Sequence, residues 1–404
     1  MIDAAINGSH AEPLIRSYVQ NAKASIGISL KEREIEMPNP YDPQNPVKPT
    51  YFGGRRAMIN SFKERLNGAL TSKQPGGVLI YGHRGVGKTS LLKKFIDITT
   101  ESNRLDIIII YRRLSAPTSS ESLYRILLEE LNVRIRERQN LVQKMKELGK
   151  NIAGLNAFGV GIDIEKEQNS LSHFQVWKMA LRSLKEASCI IIAIDEADEL
   201  ELNALGELKT MMEEVADLPI LLVISGGVEF EERLVGVYSP IARIFSGASH
   251  NISRFDYTET KEVLELGVKN ESTQWGDEAI KGLYNFTLGY PYLVQCLAKA
   301  SYREGEKITA KAVSDSVENA VEMGKAWLSH EIPHASDVDI LSFLKIIGLN
   351  KEVFQSQEIA NQDISPPYVG RLIKLKVIKK VSYGRYKLEK SPIVAIFEKL
   401  KRGI

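Results

Sequence analysis

Gly82-His83-Arg84-Gly85-Val86-Gly87-Lys88-Thr89-Ser90 sets glycines, a lysine and a hydroxyl at the spacing G-x-x-x-x-G-K-T. Glycines at Gly82, Gly85 and Gly87 let the backbone wrap a phosphate chain, so that its N–H groups and the start of a following helix face anionic oxygens. Lys88 would reach the β- and γ-phosphates of ATP, and the Thr89 hydroxyl would ligate Mg²⁺. The bland alternative is a glycine-rich turn with a chance Lys-Thr. A second reactive pair, Asp195-Glu196, closes the apolar run Cys189 to Ile194. An acidic residue there would hold Mg²⁺ through water, and its neighbour would polarise the attacking water, which makes Asp195 the metal-side residue and Glu196 the general base.

For these groups to meet, the chain must place both at one edge of a sheet. Gly77 to Tyr81 reads as a buried parallel strand that runs into the phosphate loop, and a helical pattern begins at Leu91. Asp106 to Tyr111, Cys189 to Ile194, Ile220 to Ile224 and a short stretch near Asn251 to Phe255 supply further strands. Helical periodicity covers Ser120 to about Lys150 and Asn169 to Ala187. Strands alternating with helices predict an α/β fold with a parallel sheet and helices on both faces. Asp195-Glu196 then lies at a strand's C-terminal edge, where open α/β sheets bind ligands.

Other candidates carry two readings each. Tyr51 and Phe52, just before a helix to about Leu70, either cup an adenine or pack under the helix start. Ser225 ends the fourth strand, as a sensor of the γ-phosphate or as an ordinary strand-end turn. Arg243, among apolar neighbours, would complete the site of an adjacent subunit or sit in solvent; Arg254 is a weaker candidate for the same role. Ala153 to Glu165 alternates apolar residues with glycines, either as a loop toward a partner or pore or as a hairpin covering the sheet.

The remainder divides by composition. Residues 1–50 read as an arm, with a short helix over Glu12 to Ala24 and then prolines that hold the chain extended; 51–256 form the nucleotide-binding base. Residues 257–330 are helical, broken at Gly276 and at Gly289-Tyr290-Pro291, and form a lid that would touch nucleotide with Tyr290 and Pro291. Residues 331–404 read as helix, helix, recognition helix and a β-wing around Ser382-Tyr383-Gly384, a winged helix-turn-helix. Between Arg371 and Arg402 stand eleven Lys and Arg against Glu389 and Glu398. Tyr368, Arg371, Lys374, Lys379, Lys380 and Arg385 are the expected contacts to duplex DNA, with salt-sensitive affinity. The alternative is a winged helix that binds protein or packs within its own chain.

Composition narrows the classes. A 404-residue chain with net charge +2 fits two or three domains and has no global field for nucleic acid, so DNA binding must come from a local patch. Cys189 and Cys296 sit in apolar runs and read as reduced core residues of a cytoplasmic protein. No signal-peptide pattern opens the chain, and no apolar run approaches the roughly 18 residues of a membrane span. The scattered histidines form no metal-ligand spacing.

With these pieces in order, the chain from about Asn39 to its C-terminus resembles the AAA+ and STAND group of ATPases. The resemblance rests on Asn39-Pro40-Tyr41, Phe52-Gly53-Gly54-Arg55, the phosphate loop, the acidic strand end, Gly289-Tyr290-Pro291-Tyr292 and the terminal winged helix. Its domain order is similar to origin-recognition-type replication initiators and related archaeal and bacterial ATPases. It implies a five-stranded P-loop sheet and an ATP-controlled switch that oligomerises, hydrolyses slowly and holds or remodels a partner. Tyr292, where initiators usually carry a lid arginine, and Ser225, where asparagine is more usual, depart from the initiator pattern. Asp195-Glu196-Ala197-Asp198 spells a helicase signature, yet the coupling motif and second motor domain of helicases are not in the sequence.

Overall fold

The computed structural model describes residues 39–102, 104, 106–147, 172–184, 187–237, 243–328, 332 and 334–404. The readings for residues 12–24 and 153–165 lie outside these residues. Residues 40–404 form one compact unit.

Five parallel strands make the central sheet: β1 (Gly76–Tyr81), β2 (Ile107–Arg113), β3 (Cys189–Asp195), β4 (Ile220–Gly226) and β5 (Ser249–Asn251), in the order β2-β3-β4-β1-β5. Every residue of β3 and β4 is buried, as expected of strands covered on both faces. Alternate side chains feed two separate cores. Val78, Ile80, Ile191 and Val223 face one side with Phe62 and Phe95, whose rings stack 4.3 Å apart. Leu79, Ile190, Ile192 and Leu222 face the other, with Leu127, Trp177, Leu205 and Phe230. The first layer is built on α1 (Arg56–Ser72) and α2 (Lys88–Glu101); the second on α3 (Ser120–Glu147), α4 (His173–Ser183), α5 (Leu202–Glu214) and α6 (Val228–Val237).

The segment expected as a lid comprises α7 (Tyr257–Gly267), α8 (Asp277–Thr287), α9 (Pro291–Ser301), α10 (Ala310–Asp315) and α11 (Val317–Leu328). Its helices are not its only elements. Gln274–Trp275 (β6) and Lys307–Ile308 (β7) pair in parallel, a ladder too short to leave a sequence period. Tyr41 is buried in this lid: its hydroxyl donates to the Leu264 carbonyl at 2.6 Å and accepts from the Trp275 indole at 2.7 Å.

The C-terminal part contains α12 (Asp337–Gly348), β8 (Val353–Gln355), α13 (Ser356–Ala360), α14 (Pro366–Lys374), β9 (Ile378–Ser382), β10 (Arg385–Leu388) and α15 (Pro392–Arg402). Sequence reasoning expects two strands here; three pair antiparallel in the order β8-β10-β9. Also unanticipated is α15, which buries Ile393, Val394, Ile396 and Phe397. Phe397 packs onto Gly324 of α11 so closely that a Cβ there would collide with its ring. One apolar core therefore continues from the first sheet layer through the lid into the C-terminal helices.

Candidate nucleotide-binding site

The phosphate loop is shaped by what surrounds it. The Gly82 amide donates to the Gly226 carbonyl at 3.3 Å, and a Cβ at Gly82 would strike the carbonyl oxygen of Ile252. Gly87 takes φ 94° immediately before α2, in the left-handed region that side chains avoid. The α2 N-terminus thus points its unpaired amides at the loop's concave side. Lys88 at its first position donates to the carbonyls of Gly82 at 2.8 Å and His83 at 3.1 Å. Burial lowers the Lys88 ammonium below its ordinary value, opposed by Glu196, Asp198 and Asp195.

A cavity of about 230 Å³ opens over this loop. Residues 42–47, Tyr51, Phe52, Arg84 through Ser90, Arg113, Glu196, Pro291 and Tyr292 line it. The Val47 amide donates to the Ser90 hydroxyl at 3.2 Å, which holds the proline-rich segment against α2. The Tyr292 amide donates to the Gly85 carbonyl at 3.1 Å, so the lid touches the loop directly. Gly289 makes this approach possible: it has φ +73°, accepts at its carbonyl from the Phe255 amide at 2.8 Å, and a Cβ there would strike the Phe255 carbonyl.

Asp195 and Glu196 differ in setting. Asp195 is fully buried, and its Oδ1 accepts from the Ser225 hydroxyl and from the Glu196 amide at 3.1 Å. Its Oδ2 is buried and has no hydrogen-bond partner. Glu196 adopts φ 57° and puts its carboxylate into the cavity, where Arg113 at the end of β2 donates to it at 3.0 Å. The Thr89 hydroxyl and the Asp195 carboxylate are hard oxygen donors, which suit Mg²⁺. Among the described residues no group of three or more His, Cys, Asp and Glu could hold a metal.

The structure places several expected residues outside the cavity lining. Ser225 is fully buried and donates to Asp195, and neither of the two lines the cavity. His83 and Tyr290 turn away from the cavity as well. His83 is 8% exposed with Nε2 4.0 Å from Glu352 Oε1, and burial, with Lys88 and Lys387 nearby, brings it down to about 4. The Tyr290 hydroxyl donates to the Arg84 carbonyl at 2.8 Å and pairs with the Ser391 hydroxyl at 2.7 Å. Tyr290 therefore joins the phosphate loop to the C-terminal part, whereas His83 Nε2 is buried beside Glu352 without a hydrogen-bond partner. Arg243 stands exposed on a single 3-10 turn, Arg243–Phe245; Arg254 donates to Asn350 Oδ1 at 2.9 Å.

The proposed DNA contacts divide likewise. Tyr368 packs half-buried on the core. Arg371 is exposed as expected, but its guanidinium forms a two-pronged pair with buried Asp339 at 2.9 and 2.6 Å. Burial by itself would raise the Asp339 carboxyl, but hydrogen bonds from Arg371 and Ser336 bring it below the ordinary range. Lys379 and Lys380 are neighbours in β9 and so project to opposite faces of the sheet. Lys379 lies 4.0 Å from Glu232 of α6. Lys374, Lys380 and Arg385 are exposed.

Sequence reasoning gave no role to Arg113 or Arg55. Arg113 pairs in register with Asp195, and a basic residue ending the strand beside the acidic one was the available signal. Arg55 is 7% exposed; it donates to the Val86 carbonyl at 3.5 Å and to Ser253, stacks 4.4 Å from the centre of the Phe255 ring and meets Glu259 of α7. Burial lowers its guanidinium to about 10. It braces loop, sheet and lid together.

A strand, phosphate loop and helix on a β2-β3-β4-β1-β5 sheet, with an acidic pair ending β3 and a helical lid, define an α/β P-loop nucleotide-binding fold of AAA+ type. Residues 71–234 match the AAA domain family. The chain is similar to the Walker-type ATPase of Pyrococcus abyssi, at 20% identity over 86% of this chain and 96% of that one, with a TM-score of 0.51. The Aeropyrum pernix ORC2 protein, in ADPNP-ADP complexes, matches at 14% identity over 86% and 94%, TM-score 0.49. Cdc6p of Pyrobaculum aerophilum matches at 11% identity over 88% and 97%, TM-score 0.45. No curated protein is matched. Among the described residues, no helix is long and apolar enough to cross a membrane.

Proposed function

We propose that this chain is an ATP-binding, slowly hydrolysing molecular switch that oligomerises and binds duplex DNA through a basic winged helix at its C-terminus. The observation that carries the ATP reading is the single cavity shared by the phosphate loop, Glu196 and the lid residues Pro291 and Tyr292. In this reading the loop amides from Gly85 to Thr89 hold the phosphates, and Lys88 leaves the carbonyls of Gly82 and His83 to pair with the β- and γ-oxygens. Tyr51, Phe52 and residues 42–47 enclose the base. Glu196 orients the attacking water, and Arg113 sets the direction of its carboxylate. Thr89 and, through water, Asp195 would hold Mg²⁺, which when bound neutralises phosphate charge. Arg243 in its exposed position would serve the site of a neighbouring subunit.

The DNA reading is supported by exposed Lys374, Lys380 and Arg385 and by Tyr383, 96% exposed at the turn between β9 and β10. A second reading is a signalling switch in which nucleotide state gates assembly with a protein partner. It is favoured by the bonds of Tyr290 to the Arg84 carbonyl and the Ser391 hydroxyl, which tie the nucleotide loop to the C-terminal part. Gel filtration of Glu196→Gln with ATP, with and without duplex DNA, separates them. A larger species that also carries DNA supports the first; an ATP-dependent size change without DNA supports the second; a protein that binds no ATP defeats both.

A further inference from the structure

Lys387 in β10 and Lys379 in β9 stand directly opposite each other in the antiparallel ladder. Two like charges at such positions repel. One carboxylate, Glu232 of α6, lies between them: Oε1 is 2.5 Å from Lys387 Nζ and Oε2 is 4.0 Å from Lys379 Nζ. The hydrogen bond from Lys387 holds the Glu232 carboxyl below its ordinary value, with both lysine charges assisting. Lys387 is 9% exposed, an uncommon setting for a lysine, and it is covered there by the nucleotide-binding part of the chain. Phosphate is the other oxyanion that two lysines at this spacing would take.

We propose that Glu232 is an internal counter-charge that occupies Lys379 and Lys387 in place of DNA phosphate, so that the seated C-terminal part presents only a portion of its basic surface. The inference rests on the DNA reading above and adds its regulation. Seating also places Glu352 4.0 Å from His83 of the phosphate loop and Ser391 on Tyr290, whose hydroxyl donates to the Arg84 carbonyl of that loop. Rearrangement of that loop on nucleotide binding therefore bears on the same contact that Glu232 makes. Release would free two further cations for phosphate without any new residue.

The test is the binding of the full chain to a labelled duplex over a range of salt, for the native protein and for Glu232→Gln. Each freed phosphate contact steepens the salt dependence by roughly one unit of slope, so Glu232→Gln is expected to bind more tightly and with a slope about two units steeper. Adding Lys379→Gln and Lys387→Gln to Glu232→Gln should remove that gain. Thermal unfolding and ATP binding of each variant check that it is folded, since Glu232 does not line the cavity. Native protein that binds DNA with the same affinity and slope as Glu232→Gln overturns the counter-charge alone. No binding by either protein at low salt overturns the DNA reading, and the counter-charge with it.

Discussion

Glu196 and His83 show how differently side chains that follow two strands of one sheet can be used. Glu196 opens to the cavity and is steadied by Arg113. Glu196→Gln keeps the shape but not the base, so ATP should still bind while steady-state hydrolysis falls by about 10²-fold or more; hydrolysis at the native rate would remove Glu196 from the base role. His83 has no cavity contact and is kept neutral by burial, at about 4. The unfolded chain takes up a proton near pH 6.5 that the folded chain refuses until near 4. Stability should accordingly fall as pH drops through that interval, by up to roughly 3 kcal/mol, and stay level above it. Denaturant titrations of native protein and His83→Gln from pH 7.5 to 4.5 should diverge in this window; parallel curves would show that His83 titrates normally.

At the scale of elements, the lid reaches the phosphate loop because one tight turn allows it. Gly289 at φ +73° sits against the Phe255 carbonyl, and only two residues later α9 begins and offers Tyr292 to Gly85. Gly289→Ala needs both a left-handed alanine and a displaced β5–α7 connection. It should cost more than about 1 kcal/mol of stability and weaken nucleotide affinity, while Gly282→Ala, on α8 with open space at its Cβ, should do neither. Equal melting temperatures and equal ATP affinities for the two would show that the turn is not what positions the lid.

At the scale of the whole molecule, the cavity draws residues from the proline-rich segment, the sheet, the lid and the loop. A ligand bound there links parts that otherwise meet through one apolar core. ATP at a hundredfold excess over its Kd should therefore stabilise the folded chain by about 2.7 kcal/mol, visible as a single raised unfolding transition. Lys88→Ala should lose that rise. If ATP shifted only a first, partial transition, the lid and the C-terminal part would be uncoupled from the site.

The parts of this protein readable without a fold were those with local causes. Buried strands need unbroken apolar runs, a phosphate cradle needs glycines followed by Lys-Thr, and a two-faced parallel sheet needs strands alternating with helices. Asp195 and Glu196 were placed by the length of the run before them. Which way a polar side chain turns at a shared surface has no such local cause. Ser225, Tyr290 and Arg371 occupy the right elements, yet each hydrogen-bonds to a residue distant in sequence: Asp195, Ser391 and Asp339. Lys379 and Lys380 carry the same charge in adjacent positions, and only the seating of β9 and β10 against α6 separates them. A buried donor or acceptor must find a partner, and tertiary packing alone determines which one comes within reach.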